Sequence, residues 1–229
     1  MESRAYEFYL AEWAGVDPAT GDALWFIDEK DDNGNPTGKR ITTNDYSEAL
    51  SNQKWFGSGL PKYTGGFTTR LNYKGFDLNI LLNYSFGGKY YDNAYSNLMH
   101  GLYSGYGSQM DVDQLKRWQK PGDITDVPRL NPSSGDANEY STRFLFSGDY
   151  VRLRNITFGY TLNMAKFQKI FKNVRLYAQA DNLLTWDKLK KGSDPEAGLS
   201  TNNAIATFGF GSGNAVVFKT ISAGLDINF

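Results

Sequence analysis

Few side chains in this sequence are of the types that carry chemistry. There is one histidine, His100, and no cysteine. A cysteine nucleophile, a disulfide and a cysteine- or histidine-rich metal site are therefore excluded. His100 lies in Asn97-Leu-Met-His-Gly-Leu102 with no serine or aspartate beside it in a recognisable motif, so it reads as a loop histidine rather than a general base. Close carboxylate pairs occur, Asp31/Asp32 and Asp194/Glu196 among them. A glycosidase needs two carboxyl groups set apart by the fold, whereas these pairs sit in loop-like sequence, and no catalytic role is assigned to them. Glu29-Lys-Asp31-Asp-Asn33-Gly34 has the acidity of a calcium loop, but that pattern wants Asp first and Glu twelfth. Here Glu29 and Arg40 hold those positions, and an acidic turn reversing at Asn33-Gly34 fits better. Gly209-Phe-Gly-Ser-Gly213 lacks the spacing of a dinucleotide fingerprint. Asn155-Ile-Thr157 is a glycosylation triplet by letter that falls inside a strand pattern. The chain is expected to be no enzyme and to hold no metal or cofactor.

The composition points elsewhere. The 229 residues suffice for one large all-β domain. Lys+Arg is 24 and Asp+Glu is 25, a net charge of -1, which argues against a nucleic-acid partner. The chain carries 15 Tyr, 15 Phe, 5 Trp and 24 Gly, although hydrophobic residues make up only 40%. Abundant aromatics and glycine with low bulk hydrophobicity fit β-barrels, including those of outer membranes. No signal-peptide pattern follows Met1, and the longest apolar run is Ala23-Leu-Trp-Phe-Ile27. A membrane-crossing helix needs about 20 apolar residues, so none is expected.

Strand periodicity carries the fold. In 76–86, Phe76, Leu78, Ile80, Leu82, Tyr84 and Phe86 form one face; Asp77, Asn79, Asn83 and Ser85, with Leu81, form the other. Eleven residues match the roughly 9–11 with which a tilted strand crosses a bilayer. In 65–74, Phe67, Leu71 and Tyr73 oppose Thr68, Arg70, Asn72 and Lys74, and Lys74-Gly75 makes a tight hairpin turn. The last residues alternate again, with Ile221, Ala223, Leu225, Ile227 and Phe229 on one side. Three further segments fit. In 4–13 the stripe is Tyr6, Phe8 and Leu10. In 173–185 it is Val174, Leu176, Ala178 and Ala180. In 149–162 it is Ile156, Phe158, Tyr160 and Leu162, with Val151 and Leu153 out of phase. That phase change implies either a β-bulge or an upper half standing above the membrane.

Short connections at 74–75 and 163–172 alternate with long ones at 14–63, 87–148 and 187–214. Short turns at one end and long loops at the other mark an outer-membrane barrel. The fold class is thus all-β: an antiparallel up-and-down transmembrane barrel segment of about six spanning strands. Six strands leave too little interior for a closed barrel, so the segment needs further strands to seal its edges. A strand at Leu24–Ile27 and a short helix from Asp111 to Gln119, capped by Asp111, are expected within the loops. Tyr73, Phe76, Tyr84 and Phe86 are placed as interfacial girdles, and Lys219 as a lysine snorkelling at the outer interface. Trp25, Trp55, Tyr103, Tyr106 and Trp118 are loop aromatics with the chemistry to stack on sugars, but no ligand contact is assigned to them.

Several segments follow in a fixed order: Trp13-Ala-Gly-Val-Asp-Pro-Ala-Thr-Gly-Asp22, Pro61-Lys-Tyr-Thr-Gly-Gly-Phe67, Tyr73-Lys-Gly-Phe-Asp-Leu78, Arg117-Trp118-Gln-Lys-Pro-Gly-Asp123, Thr125-Asp-Val-Pro-Arg129, Gly148 to Leu162, Arg175-Leu-Tyr, Asp181-Asn-Leu183 and the terminal Phe229. In this order and spacing they resemble the C-terminal part of the SusC/RagA-type TonB-linked outer-membrane transporters. The resemblance implies a larger barrel of about 22 strands, with a plug domain and earlier strands that nothing in residues 1–229 matches. It implies import of oligosaccharides or peptides, a SusD-like lipoprotein lid, the TonB complex, the barrel-assembly machinery and outer-membrane lipid as partners. Phe229, Ile227 and Leu225 are the expected assembly signal, because a terminal strand offers the assembly machinery an unpaired edge. The competing fold is a soluble β-sandwich carbohydrate-binding module, whose strands alternate in the same way.

Overall fold

The computed structural model describes residues 6–103, 109–163, 172–189, 193–196, 210–211 and 217–228. Its elements are β1 (Glu7–Leu10), β2 (Glu12–Val16), β3 (Ala23–Lys30), β4 (Pro36–Thr43), α1 (Tyr46–Leu50), β5 (Lys54–Ser58), β6 (Tyr63–Tyr73), β7 (Phe76–Phe86), β8 (Lys89–Asp92), α2 (Asn93–Leu98), β9 (Leu145–Ser147), β10 (Tyr150–Asn163), β11 (Asn173–Asp187), β12 (Phe210–Gly211) and β13 (Thr220–Asn228). Among the described residues no helix is long and apolar enough to cross a membrane; the strands provide the length. Eleven residues of β7 at ~3.3 Å each, tilted by about 40°, rise roughly 28 Å.

Five of these strands form one antiparallel sheet in the order β13-β11-β10-β7-β6. Each long strand pairs with the next long strand in the chain, so the sheet is an up-and-down meander. The β6–β7 hairpin reverses at Lys74 and Gly75, both at positive φ (49° and 89°), the backbone that a two-residue turn needs to match the strand twist. Tyr73 then faces Phe76, and the register runs unbroken to Tyr63 opposite Phe86.

That register lines up the apolar parities of all five strands. Leu71, Leu78, Phe158, Ala178 and Ala223 lie side by side across the sheet, as do Thr69, Ile80, Ile156, Ala180 and Ile221. The phase change in β10 is a bulge. Leu153 faces Leu82 while Asn155 faces Leu81, leaving Arg154 as an extra residue. On the other side Asn182 and Leu183 of β11 oppose Arg154, and Asn182 takes a positive φ of 53°. The bulge returns Val151 and Leu153 to the apolar face, where Leu82, Leu153 and Leu184 form one row and Tyr84, Val151 and Trp186 the next. Aromatics gather at both ends of this face: Tyr73, Phe76 and Tyr160 near the tight turn, and Tyr63, Phe86, Tyr84 and Trp186 at the loop end.

Phe67, Leu71, Phe158, Leu176, Leu184, Ile221 and Leu225 on this face are exposed, and none of its residues belongs to a buried apolar cluster. A β-sandwich would cover the face with a second sheet; among the described residues nothing does.

One expected strand is corrected. The described part of segment 4–13 does not join the sheet. Its strand, Glu7–Leu10, pairs with β5 instead, so the described sheet has five strands where about six were expected. Phe8 and Leu10 alternate because they enter a protein core, with Tyr91, Tyr95, Met99, Val127 and Phe144. A second core joins Ala11, Ala23, Trp25 and Ala49 beneath the β2–β3–β4 sheet. Both cores are built from segment 4–13 and the long connections, which leave the same end of the five-stranded sheet and fold with it into a packed cap. The expected strand at Leu24–Ile27 is the middle of β3, and the expected helix is one 3₁₀ segment, Val112–Lys116, capped by Asp111 accepting from the Asp113 N–H at 2.9 Å.

Candidate functional site

Opposite the apolar face, the polar parities form a hydrogen-bonded surface. Arg175 on β11 donates to both oxygens of Asp77 on β7 (Nε–Oδ1 2.9 Å, Nη2–Oδ2 2.7 Å) and to Asp226 on β13 at 3.2 Å. To reach Asp77 it must cross β10, and the residue it crosses is Gly159, which is paired with both Asp77 and Tyr177. A Cβ there would sit 2.5 Å from Asp77 Oδ1 and 2.7 Å from Arg175 Nη2. Gly159 is thus a space requirement of the ion bridge. One belt higher, Asp181 accepts from Asn155 Nδ2 at 2.7 Å and from Gln179 Nε2 at 2.9 Å. This places Asn155, the glycosylation letter, inside a strand network.

At the loop end of the same face lies the most buried charge of the sheet. Arg152 is 2% exposed. Its Nε donates to Thr185 Oγ1 (3.0 Å), Nη2 to Asp194 (2.7 Å) and Nη1 to Glu196 (2.7 Å). Arg154, carried on the bulge, adds a 3.2 Å bond to Glu196 and a 3.0 Å bond to Asn182, and the Tyr150 hydroxyl reaches Glu196 at 3.3 Å. Ser193 bonds Asp92 of β8. The pair Asp194/Glu196 is therefore consumed in fastening residues 193–196 to the sheet.

The cap explains several motifs. Asp17-Pro-Ala-Thr-Gly-Asp22 folds into a tight turn, with the Gly21 and Ala19 N–H groups bonded to Asp17. Trp118 lies flat on Gly21, where a Cβ would fall 2.4 Å from the ring, and its Nε1 donates to the Pro18 carbonyl at 3.0 Å. Gly122 N–H donates to the same carbonyl, and Arg129 binds Asp22 at 2.8 Å. Two stretches about a hundred residues apart in sequence are thereby locked together. Beside them opens a cleft of about 710 Å³ with Trp13, Met99, Ile124, Val127, Phe146 and Arg143 in its walls. Arg143 is wedged between the Trp13 and Phe144 rings, each 4.9 Å away, and burial pulls its guanidinium down to about 10.

The other chemical candidates have structural roles. His100 bonds the Gln109 carbonyl (3.3 Å) and the Leu102 N–H (3.4 Å). Asp31 closes its turn through the Asn33 and Asn35 N–H groups at 2.9 and 2.8 Å. The Asn35 N–H above all holds its carboxyl below the usual carboxylate range. Glu29 accepts from Thr37 across the hairpin at 2.7 Å. Among the described residues no cluster of His, Cys, Asp or Glu is arranged to hold a metal. Of the loop aromatics, Trp25 is buried against Trp13 and Tyr46 and offers no ring face for stacking, while half-buried Trp118 spends one face on Gly21. Trp55 remains exposed against Tyr9. Tyr106 and most of Gly209–Gly213 lie outside the described residues, as does Phe229. Leu225 and Ile227 stand together on the apolar face of β13, which pairs only with β11 among the described residues. The ion bridge at Arg175 and the anchor at Arg152 went unnoticed in the sequence; the one signal for either was an arginine at polar parity beside a strand glycine.

No family model matches the chain. It is 31% identical over 185 residues to "TonB-dependent receptor P3" of Formosa agariphila, covering 79% of this chain and 18% of that receptor. It is 30% identical over 161 residues to "TonB-dependent receptor P39" of the same organism, covering 68% of this chain and 15% of that one. The fold superposes on the RagAB peptide transporter with a TM-score of 0.78 at 28% identity, over 100% of this chain and 24% of that chain. It superposes on the RagAB peptide importer in its open-open state with a TM-score of 0.72 at 27% identity, with the same coverage of both chains. The chain belongs to the SusC/RagA-type TonB-dependent receptors. Its five-stranded sheet is a segment of their transmembrane barrel wall. The segment spans less than a fifth of the length of the curated relatives it matches.

Proposed function

We propose that this receptor segment is the C-terminal part of the wall and outer cap of a TonB-dependent importer in the outer membrane. The plug and the remaining strands would come from the rest of the receptor. In this reading the apolar face meets lipid and the polar face lines the lumen. The cap stands outside the membrane, beneath a SusD-like lipoprotein lid. The solute is an oligosaccharide or a peptide, and the TonB complex, acting on the plug, supplies the energy. The segment catalyses no reaction and needs no cofactor. Leu225, Ile227 and Phe229 present the last strand to the barrel-assembly machinery; deleting Phe229 should lower membrane insertion of the full-length receptor.

The observation that carries the reading is the continuous, uncovered apolar face backed by a hydrogen-bonded polar one. The test is a pair of arginines in the full-length receptor. Ile80→Arg should cost about 2–4 kcal/mol in folding into bilayers, the cost of a cation at the lipid midplane. Asn79→Arg, one residue away on the wet face, should be near neutral. Equal costs would refute the assignment of faces.

A further inference from the structure

A second, smaller cavity of the cap, about 200 Å³, borders the Gly21-Asp22 turn. It is well below the ~300–1,000 Å³ of a pocket for a drug-sized ligand and matches a single sugar ring. The lining includes Trp25, Asn44, Arg129, Asn131, Ser134 and Asp136. Trp25 is 1% exposed, whereas Asn44, Arg129 and Asp136 are open to solvent.

The walls are fixed by bonds that leave several polar ends free. Arg129 donates its N–H to the Gly21 carbonyl at 2.9 Å and its Nε to Asp22 at 2.8 Å, so that pair neutralises itself. Asn131 donates its N–H to the Gly101 carbonyl at 2.9 Å, and its Oδ1 accepts from the Ser133 N–H at 3.0 Å. Ser134 Oγ accepts from the Asp136 N–H at 3.1 Å. The Asp136 carboxylate and the Asn44 amide, by contrast, make no hydrogen bond or ion pair among the described residues. The buried Trp25 Nε1 also has no partner among them, although a buried indole N–H ordinarily finds an acceptor.

These unmet demands are opposite in kind. Trp25 Nε1 needs an acceptor and Asp136 needs a donor. An ammonium group meets only the second demand, and a carboxylate or phosphate only the first. A hydroxyl meets both. A peptide unit offers one donor and one acceptor, whereas this lining presents an indole N–H, a carboxylate, two amides and a hydroxyl. Several hydroxyls on one ring fit that set better. With Asp22 cancelled by Arg129, Asp136 leaves the lining net negative, which disfavours an acidic ring.

We propose that this cavity is a subsite for one neutral sugar ring of an oligosaccharide. Trp25 Nε1 donates to one of its hydroxyl oxygens, and Asp136, with Asn44 and Asn131, takes up others. The cap would then hold part of a glycan outside the membrane. The proposal rests on the importer reading above and selects the oligosaccharide from its two solute classes.

The test is saturation-transfer NMR on the full-length receptor in detergent, without its lid. The probes are the methyl glycosides of glucose, galactose, mannose, xylose, rhamnose and fucose, with methyl glucuronide and alanyl-alanine for comparison. At least one neutral glycoside should show transfer, and methyl glucuronide less than methyl glucoside. Asp136→Ala and Asn44→Ala should each weaken the binding roughly ten-fold, the scale of one lost hydrogen bond. Asp126→Ala, in the larger cleft, should leave it unchanged. The proposal is overturned by no transfer from any neutral glycoside, by transfer that either pocket variant leaves intact, by an equal loss in Asp126→Ala, or by transfer from alanyl-alanine that the pocket variants abolish. Heat-modifiable gel migration reads barrel closure separately. A receptor that lacks it counts against the barrel-wall reading, whereas one that shows it without the sugar signal counts against the subsite alone.

Discussion

Strands β1 and β7 carry the same period-two pattern and end up in opposite surroundings. Phe8 and Leu10 of β1 are buried among Tyr91, Met99 and Phe144, while the stripe of β7 continues a face that none of the described residues covers. Alternation therefore says that one side of a strand is dry, not what keeps it dry. What separates the two cases is length and company. β1 has four residues and one short partner, whereas β7 has eleven and long strands on both sides. Only the second can reach across a bilayer.

The contrast between cap and wall can be broken at chosen residues. The largest effect is expected where the two meet, at Arg152. Arg152→Met leaves Asp194 and Glu196 without their buried cation, and removing one partner of a buried ion pair costs about 3–5 kcal/mol. Hydrogen exchange should show residues 193–196 losing protection while the β6–β7 hairpin keeps its own. Equal loss in both would mean that cap and wall are one cooperative unit.

Next comes Gly159→Ala. The added methyl collides with Asp77 and Arg175 and should cost about 1–3 kcal/mol, the usual range for forcing volume into a filled site. Arg175→Ala in the same background should restore part of the loss, because the new methyl then has room; full additivity of the two changes would contradict the space argument.

Much of the wall was legible from the sequence. Phe76 to Phe86, the Lys74-Gly75 turn and the β13 stripe were all readable because strand parity is strict and turn chemistry is local. The bulge at Arg154 was visible only as a phase error between Leu153 and Ile156. Segment 4–13 was misassigned because three alternating residues fit a protein core as well as lipid. The cap was far less readable. Its joints, such as Trp118 on Gly21 and Arg152 on Glu196, link residues 97 and 44 positions apart, and no local pattern announces such a pairing.

The smallest effect concerns pH in the cap. Asp31 has a folded-state pKa below its ordinary value, chiefly through the Asn35 N–H. A depressed carboxylate contributes stability that is present above the unfolded pKa of about 3.9 and is lost as pH falls through the folded pKa. The β3–β4 hairpin should therefore open more readily at acid pH than at neutrality, read by exchange at Asn33 and Asn35. Asp31→Asn should flatten that dependence, and an unchanged profile would remove Asp31 from the account.

The most direct measurement of the central claim uses the absence of cysteine from this segment. Single cysteines at 76 through 83 of the full-length receptor, in lipid, can each carry a nitroxide whose collisions with oxygen and with a water-soluble nickel chelate are compared. Oxygen collisions should peak at 76, 78, 80 and 82, and nickel collisions at 77, 79, 81 and 83. Uniformly low collision rates at the even positions, as inside a packed protein core, would contradict a lipid-facing wall.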